Sequence, residues 1–319
     1  MTSSATECST KQFFELHNYF GLDKKNIFFF NQGYFPCCFE DGRVMMQSKY
    51  QIACAPNGNG GLWEALEPSG VLQDMERRKI RVVSSYCVDN VLAKVADPIF
   101  AGFLEDKQCD VSCKVIEKKP EERVGVFCLL NNSPAVIEYS EIDQFDMKPG
   151  LLKDVSNTKQ SINSLFNIAH IVLNNFSFDF VQRMSKIHQR CPSQFHLAKK
   201  CIPHIDSNGK LVADKMGLKF ERFVFDVFPL ANKLCALKVR RNEEFSPLKN
   251  SVEYSFDNSI TCRLHLSQLC KEYIKRAGGR FETEDPNALC EISPRVTYSG
   301  EGLEQLVSGK TIELPCYIH

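Results

Sequence analysis

A glycine- and asparagine-rich segment at residues 57–61 constrains this chain more than any other feature of its sequence. It reads Asn-Gly-Asn-Gly-Gly, follows a predicted strand at 50–54 and runs into the helix opening Leu-Trp-Glu-Ala-Leu at 62–66. Glycines bury almost nothing, but they let a backbone bend tightly and approach a ligand closely. A strand, a glycine-rich loop and a helix in this order direct free N–H groups and a helix dipole at an anion. The segment therefore predicts an anion or nucleotide site, with a hairpin turn as the alternative.

Composition and charge argue against several classes of protein. The 39 lysines and arginines balance 39 aspartates and glutamates, whereas a dedicated nucleic-acid binder normally has a basic excess. No apolar run approaches the ~18 residues of a membrane span, and the first ten residues do not read as a signal peptide. Fifteen cysteines, an odd number with several in apolar strands, indicate reduced thiols. We therefore expect a cytoplasmic protein without nucleic-acid or membrane partners.

The order of predicted elements indicates the fold class. Strands and helices alternate over the first 240 residues, which favours an α/β layered fold with a mostly parallel sheet. In such sheets ligands bind beyond the carboxyl ends of the strands. Gly58 and Asp89 fall at two such ends, so we expect them to face one cleft. The predicted strands are 26–30, 81–88, 111–117, and 124–130 with 135–139 as a hairpin; the predicted helices are 11–19, 71–78 and 99–107, the last capped by Asp97 and Pro98.

The pattern changes after residue 245. A strand-like piece at 259–264, a helix at 266–276 and short turns predict a smaller α+β module. We therefore divide the chain into a main domain at 1–245 and a small C-terminal domain at 246–319.

Two motifs each allow two interpretations from the residues alone. Asp89 after a buried strand is a candidate Mg²⁺ ligand, because Mg²⁺ prefers carboxylate oxygen, and a turn or cap aspartate is the alternative. The alternating aromatics at 223–228 fit a packed core, or a wall beside a sugar ring.

A further motif has the residue types of a zinc site. Its ligand order is not that of a zinc knuckle, and residues 195–200 read as a helix end, so we do not expect zinc. The four residues are Cys191, His196, Cys201 and His204.

Six segments, taken together and in order, resemble the eukaryotic UDP-N-acetylglucosamine pyrophosphorylases over nearly the whole chain. They are A-P-N-G-N-G-G-L-W-E-A-L at 55–66, Y-C-V-D-N-V-L-A-K-V-A-D-P at 86–98, V-I-E-Y-S-E-I at 136–142, K-F-E-R-F-V-F-D-V-F at 219–228, E-E-F-S-P-L-K-N at 243–250 and E-I-S-P-R-V-T-Y-S-G-E-G-L-E at 291–304.

The resemblance implies a fold and a reaction. The fold is a three-layer nucleotide-diphospho-sugar transferase fold of Rossmann type with a mixed sheet, here lacking its first strands, plus a small α+β module. The reaction is reversible: UTP and N-acetylglucosamine 1-phosphate give UDP-N-acetylglucosamine and pyrophosphate, with Mg²⁺ or Mn²⁺ as the cofactor. Phosphoryl transfer leaves little covalent work for the protein, so we expect positioning and charge to carry the catalysis.

Position by position, the resemblance also implies site residues. Gln32 and Gly58 would contact the uridine, and Asp89 would lie beside the phosphates and their metal ion. Two lysines would act as catalytic cations that neutralise phosphate charge, Lys219 and Lys249. The sugar pocket would be formed by Asn59, Gly125, Glu138, Tyr139 and His170, with Phe223 and Phe225 as the wall for the N-acetyl group.

Two departures from the family pattern bear on activity. The L-A-G-G-x-G-T-R-L-G loop that cradles the triphosphate does not occur in this sequence, and His170 stands where the family reads the second asparagine of N-A-G-N. We expect either a fragment of a uridylyltransferase with negligible turnover alone, or a degenerate paralogue that binds a sugar nucleotide or a protein partner without turnover. An unpaired sheet edge would also make the isolated chain poorly stable.

Overall fold

The computed structural model describes residues 1–119, 122–138, 141, 152–153, 167–187, 195–283 and 285–319. Their helices are α1 (Glu7–Leu16), α2 (Leu62–Ala65), α3 (Val71–Arg77), α4 (Pro98–Lys107), α5 (Phe178–Ile187), α6 (Arg241–Glu244), α7 (Ser259–Arg276) and α8 (Glu304–Val307). No helix within these ranges is both long and apolar enough to cross a membrane.

The strands of the same ranges are mostly short. They are β1 (Tyr34–Pro36), β2 (Cys38–Phe39), β3 (Met46–Ser48), β4 (Gln51–Ile52), β5 (Cys54–Pro56), β6 (Val82–Ser85), β7 (Val111–Glu117), β8 (Val126–Leu130), β9 (Ser133–Ile137), β10 (Leu152–Lys153), β11 (Ile168–Ser177), β12 (His196–Cys201), β13 (His204–Ile205), β14 (Leu211–Val212), β15 (Met216–Glu221), β16 (Leu234–Lys238), β17 (Arg280–Phe281), β18 (Cys290–Ile292), β19 (Thr311–Ile312) and β20 (Cys316–Ile318).

A seven-stranded mixed sheet organises the described part of the chain. Its main path is β10-β8-β11-β7-β16, with β6 paired to β11 and β9 paired to β8. Among the described strands of this sheet only β7 and β16 pair in parallel, while the long strand β11 runs antiparallel to β6, β7 and β8. The mixed sheet is confirmed, but the parallel majority predicted from element alternation is wrong. The reason is that the β8–β9 hairpin and the returning strand β11 need no crossover helices.

Both faces of this sheet are buried. Along β7, Val115 packs into one apolar cluster with α2, α3 and α5, whereas its neighbour Ile116 packs into another with Phe245. Alternation of side chains along a strand puts these two residues on opposite faces. The sheet therefore forms the middle layer of an α/β fold.

A separate apolar cluster surrounds α7. It unites Tyr273 and Ile274 of α7 with Cys290 and Leu303, and it also takes in Leu92 from much earlier in the chain. The division at residues 245 and 246 stays a prediction.

Several predicted elements are confirmed with close boundaries. Strand β7 covers the predicted 111–117, and α3 covers 71–77 of the predicted 71–78. At α4, Asp97 Oδ1 accepts hydrogen bonds from the backbone N–H of Ile99 (3.0 Å) and Phe100 (3.3 Å), with Pro98 in the first turn. The predicted hairpin turn is present too.

Three predicted elements are wrong. The segment 259–264 is the start of helix α7, because Asn258 and Thr261 form a reciprocal capping box. The segment 195–200 is mostly strand β12 and is not a helix end. The predicted strand at 26–30 is absent, since none of these residues lies in a strand; Phe29 packs edge-on against Phe14 of α1 at 5.2 Å instead.

A buried ion network connects α4, β7 and α6. Lys114 of β7 is 1% exposed, and its Nζ lies 2.5 Å from Asp97 Oδ2 and 3.0 Å from Glu244 Oε2. Lys94 also contacts Glu244, at 3.3 Å. Burial disfavours the Asp97 charge, but Lys114 outweighs it and holds the pKa of Asp97 below its usual value. Charges this deeply buried are stable only when paired, so the network fixes the relative positions of the three elements.

Candidate active site

The glycine-rich loop is bonded to the backbone that follows β15. The N–H of Gly60 donates to the carbonyl of Arg222 (2.9 Å), and the N–H of Arg222 donates to the carbonyl of Asn57 (2.8 Å). Gly58 has φ 87° and ψ 175°, and a Cβ there would lie 2.3 Å from the Arg222 carbonyl oxygen. Only glycine allows this approach. The loop thus uses glycine to bring two stretches of the chain together.

Side chains of the loop region complete this junction. Asn59 Oδ1 accepts the N–H of Val224 (2.8 Å), and Trp63 Nε1 donates to the Val224 carbonyl (3.3 Å). Trp63 is 3% exposed and packs edge-on against Phe176. Both backbone groups of Val224 are therefore held from the glycine loop and α2.

The junction presents a pair of aromatic rings. Phe223 and Phe225 have centroids 5.1 Å apart; Phe225 is buried, whereas Phe223 is partly exposed. Phe225 belongs to the core and Phe223 packs against it from the surface, so the packed-core interpretation of the 223–228 aromatics is confirmed, and the wall beside a sugar ring stays a prediction.

His170 lies behind this wall. Its ring is 1% exposed and meets the rings of Phe225 (5.4 Å) and Phe228 (5.5 Å) edge-on. Its Nε2 lies 2.8 Å from Asn174 Oδ1, while its Nδ1 has no hydrogen-bond partner among the described residues. Burial lowers the pKa of His170 to about 4, so the ring is neutral.

Gly125 and Glu138 meet beside His170. The N–H of His170 donates to the Gly125 carbonyl (2.9 Å), and a Cβ on Gly125 would lie 3.1 Å from Glu138 Oε1. The missing side chain makes room for the Glu138 carboxylate. Burial raises the pKa of Glu138; the charges of His196 and Lys249 oppose this rise. Tyr139 lies outside the described residues.

An ion cluster that the sequence did not predict borders Glu138. His196 Nδ1 lies 2.8 Å from Glu141 Oε1, and its Nε2 lies 2.9 Å from Asp226 Oδ1. Burial disfavours the charged ring, but the hydrogen bonds to Asp226 and Glu141 outweigh it and raise the pKa of His196 to about 10. Asp226 Oδ2 also accepts the N–H of Phe223 (2.7 Å), which ties the cluster to the aromatic wall.

Asp89 and Lys249 are brought together by a short antiparallel pairing. The N–H of Leu248 donates to the Asp89 carbonyl (2.8 Å), and Asn90 forms a bridge with Pro247. Burial and the Asp89 charge raise the pKa of the nearby Cys87 thiol to about 11, and Lys249 opposes that rise. The pairing therefore brings Asp89 and Lys249 into one neighbourhood, where the charges of both, and of Glu138, act on Cys87.

The residues present suit a metal ion that phosphate oxygens also hold. In the described ranges, no three His, Cys, Asp or Glu side chains are close enough to bind a metal by themselves. Asp89 is one partly buried carboxylate. Mg²⁺ commonly binds through one or two carboxylates and the phosphates of a substrate, and Asp89 fits that mode.

The zinc-type residues do not form a site within the described ranges. His196 and Cys201 occupy opposite ends of β12, and His204 Nδ1 contacts the Ile202 carbonyl at 2.9 Å. Cys191 lies outside the described residues.

Two predicted site residues lie at the edge of this assembly. Gln32 precedes Gly33, whose carbonyl accepts the N–H of Asn57 (3.0 Å). The Oε1 of Gln32 is buried and has no hydrogen-bond partner in the described part of the chain. Lys219 lies on β15 and pairs with Glu221 at 2.5 Å.

Comparison with known proteins gives likenesses over the whole chain. A sequence model of the UTP–glucose-1-phosphate uridylyltransferase family matches residues 1–281. The probable UDP-N-acetylglucosamine pyrophosphorylase of Dictyostelium discoideum is 41% identical over 326 residues, covering 100% of this chain and 65% of that protein. The human UDP-N-acetylhexosamine pyrophosphorylase-like protein 1 is 40% identical, covering 99% of this chain and 64% of its own length. The chain thus spans slightly less than two thirds of these relatives.

Solved structures agree with the sequence matches. A structure from Entamoeba histolytica has a TM-score of 0.84 at 34% identity, with 100% of this chain and 77% of that chain covered. The uridine diphosphate N-acetylglucosamine pyrophosphorylase of Trypanosoma brucei, solved with an inhibitor, has a TM-score of 0.80 at 30% identity, with 96% and 62% covered.

Proposed function

The chain belongs to the UTP–glucose-1-phosphate uridylyltransferase family, and we propose that its site serves the synthesis of UDP-N-acetylglucosamine. The resemblance found from sequence motifs and the α/β nucleotidyltransferase fold are both confirmed. In the proposed reaction, a phosphate oxygen of N-acetylglucosamine 1-phosphate attacks the α-phosphorus of UTP. The bond from that phosphorus to the bridging oxygen of the β-phosphate breaks, and pyrophosphate leaves.

The assembly around the aromatic pair carries this proposal. Asn59, Gly125, Glu138 and Phe223 come from distant parts of the sequence, yet hydrogen bonds and close contacts connect them through Val224 and His170. A partly exposed ring suits the flat N-acetyl group, and a carboxylate with room beside Gly125 suits sugar hydroxyls. We infer that these groups receive the N-acetylhexosamine.

The uridine end of the ligand would lie at the glycine loop. Gln32 offers a buried amide oxygen with no protein donor in the described ranges, and the N3–H of uracil is a donor. Gly58 belongs to this loop, and its backbone would contact the base.

The negative charge of the phosphates would be neutralised by basic side chains and a metal ion. Lys249 and Lys219 would neutralise it, and the pairing of Leu248 with Asp89 brings the Lys249 segment to the predicted metal ligand. Asp89 would hold Mg²⁺, or Mn²⁺, together with the phosphates. When bound, that ion would offset the charge that develops on the transferring phosphoryl group and the departing pyrophosphate.

Ligand binding tests the proposal directly. We expect UDP-N-acetylglucosamine to bind the chain in calorimetry and to change the fluorescence of Trp63, the only tryptophan and a direct neighbour of the wall. Phe223→Ala should weaken UDP-N-acetylglucosamine binding about 5- to 10-fold, because an aromatic contact contributes about 1 kcal/mol.

The matched control is Phe20→Ala, which truncates an exposed ring in a different part of the structure and should leave the affinity unchanged. Phe223→Ala should weaken the binding of UDP-glucose, which lacks the N-acetyl group, less than it weakens the binding of UDP-N-acetylglucosamine. Absence of binding by the unaltered chain, or equal losses for the two ligands, would contradict the proposal.

A further inference from the structure

His196 has the geometry of a charged imidazolium. Each ring nitrogen faces a carboxylate oxygen, at 2.8 Å for Glu141 and 2.9 Å for Asp226. A carboxylate only accepts, so both nitrogens must carry hydrogen to make these two bonds. The side chain is 14% exposed, which keeps water from replacing either partner.

The same ring supports the aromatic wall. Its centroid lies 4.3 Å from that of Phe223. Asp226, which His196 holds through Oδ1, accepts the N–H of Phe223 through Oδ2 at 2.7 Å. The orientation of Phe223 therefore depends on the position of Asp226, and that position depends on His196.

His196 also sets the charge around Glu138. The charged groups facing Glu138 are the cations His196 and Lys249 and the carboxylates Glu141 and Asp226, and Asp226 in turn faces Arg222. Removal of the imidazolium would leave three carboxylates close together, with Lys249 on an exposed stretch of chain as the remaining cation facing Glu138.

We propose that His196 is a positioning residue of the sugar pocket, which holds Phe223 through Asp226 and supplies a largely buried positive charge that faces Glu138. The Glu138 carboxylate then accepts hydrogen bonds from hydroxyl groups of the bound N-acetylhexosamine. This role rests on the function proposed above and adds a residue that neither the family motifs nor the sequence analysis assigns to the pocket.

The direction of the pH effect follows from the charges. Burial already raises the pKa of Glu138, and His196 holds that rise back. Without the imidazolium, Glu138 would take up a proton at a higher pH. Affinity for the sugar nucleotide, which needs the ionised carboxylate, would then be lost earlier as the pH falls.

The test uses His196→Gln, which keeps a polar side chain without the charge, and His196→Arg, which restores charge and two-sided donation. In each protein, ¹³C NMR follows the Glu138 carboxyl without ligand, and calorimetry follows UDP-N-acetylglucosamine affinity from pH 5 to 9. We expect the Glu138 midpoint to rise by about one pH unit or more in His196→Gln, with about 10-fold weaker binding at pH 7. His196→Arg should recover most of both.

Two further variants keep the result interpretable. Glu141→Gln retains an acceptor for Nδ1 but removes a negative charge facing Glu138, so it should lower the Glu138 midpoint. His17→Gln, at an exposed histidine, should change neither measurement. If the Glu138 midpoint rises in His196→Gln and falls in Glu141→Gln, the shifts come from charge, because a loss of structure would not move the midpoint in opposite directions.

The outcomes distinguish this inference from the proposed function. If the unaltered chain binds the ligand, and His196→Gln has the same affinity and the same Glu138 midpoint, the inference is overturned while the function stands. If the unaltered chain does not bind the ligand, the function fails and the sugar-binding role of His196 fails with it, whatever the Glu138 midpoint shows.

Discussion

Gly58 is the residue at which backbone geometry and the candidate site meet most closely. Its conformation, φ 87° and ψ 175°, is almost confined to glycine. The Arg222 carbonyl occupies the space that a side chain would need. A methyl group at this position must therefore displace the strand end that leads to the aromatic wall.

We predict that Gly58→Ala lowers the free energy of unfolding by about 1–3 kcal/mol more than Gly42→Ala. Gly42 has nearly the same φ, 85°, but no atom of the described residues lies within 4 Å of its Cβ position, so the control carries the cost of φ alone. Urea unfolding of the two variants measures the difference, and equal losses would show that the contact with Arg222 is unimportant.

His170 makes stability depend on pH. Its pKa is about 4 in the folded chain and 6.5 when exposed, so the unfolded state binds a proton that the folded state does not between these values. The free energy of unfolding should therefore rise with pH across this window, by about 3 kcal/mol from this residue, and level off above it.

Comparison with His170→Asn isolates that contribution. We expect the unfolding free energy of the variant to rise less steeply from pH 4 to 6.5, whatever its absolute stability. Parallel curves for the two proteins would show that His170 is not buried in its neutral form.

At this scale, the residues of the candidate site were easier to predict from the sequence than the partners that each one contacts. The glycines of the loop stood out because their spacing is unusual, and the structure explains their conformation. His196 attracted attention only as a zinc-type residue. Its partners Glu141 and Asp226 lie 55 and 30 residues away, and pairing with them depends on the path of a strand that the sequence suggested was a helix end.

At the scale of elements, Lys114 joins three of them. It extends from the central strand β7 to Asp97 at the start of α4 and to Glu244 at the end of α6. Asn90 Nδ2 also donates to the Glu244 carbonyl (2.8 Å), next to Asp89. The network thus supports the segment that carries the predicted metal ligand.

We predict that Lys114→Met costs about 3–5 kcal/mol of unfolding free energy, because it leaves the buried Asp97 carboxylate without its cation and removes from Glu244 the more deeply buried of its two lysine partners. The matched control is Lys238→Met on the neighbouring strand β16, where the pair with Glu117 is largely exposed. That variant should lose less than about 1 kcal/mol. Thermal or urea unfolding measures the loss of stability in both variants. A small effect of Lys114→Met would contradict the role of the network.

Elements with complete local patterns were predicted well, and those decided by neighbours were not. The cap of α4 and the apolar run of β7 can each be recognised from a few consecutive residues. The strand predicted at 259–264 failed although a local cue was available, since Asn258 and Thr261 have capping-box spacing. The run at 26–30 has strand composition, but Phe29 packs against α1 and Phe30 against the main core cluster, and a strand needs a partner that sequence alone does not supply.

For the molecule as a whole, the state of the cysteines shows whether disulfides connect its parts. All fourteen cysteines in the described ranges are free thiols, and those at positions 8, 54 and 201 are exposed. Burial raises the pKa of the Cys128 thiol to about 12, which lowers its reactivity further.

We predict that a thiol reagent modifies about three cysteines rapidly in the folded protein, and at least fourteen after unfolding without reductant. The control is the same titration after treatment with a reductant, which should give an unchanged unfolded count. A lower count before reduction would reveal a disulfide.

The family and the outline of the site were predictable because ordered motifs cover most of the chain. The segments at 55–66, 86–98, 219–228 and 243–250 are those that meet at the candidate site. The direction of the strands was less predictable, because alternation of elements does not distinguish a parallel from an antiparallel neighbour.

The junction between the glycine loop and Val224 has a consequence for how the chain acquires its site. Its hydrogen bonds join residues 161 and 165 positions apart, so the site belongs to the contacts of longest range. Closing a loop of that length costs entropy before any contact offsets it, and such contacts slow folding. During synthesis, the glycine loop must leave the ribosome long before its partner strand exists. The junction can therefore form only after residue 224 has been synthesised.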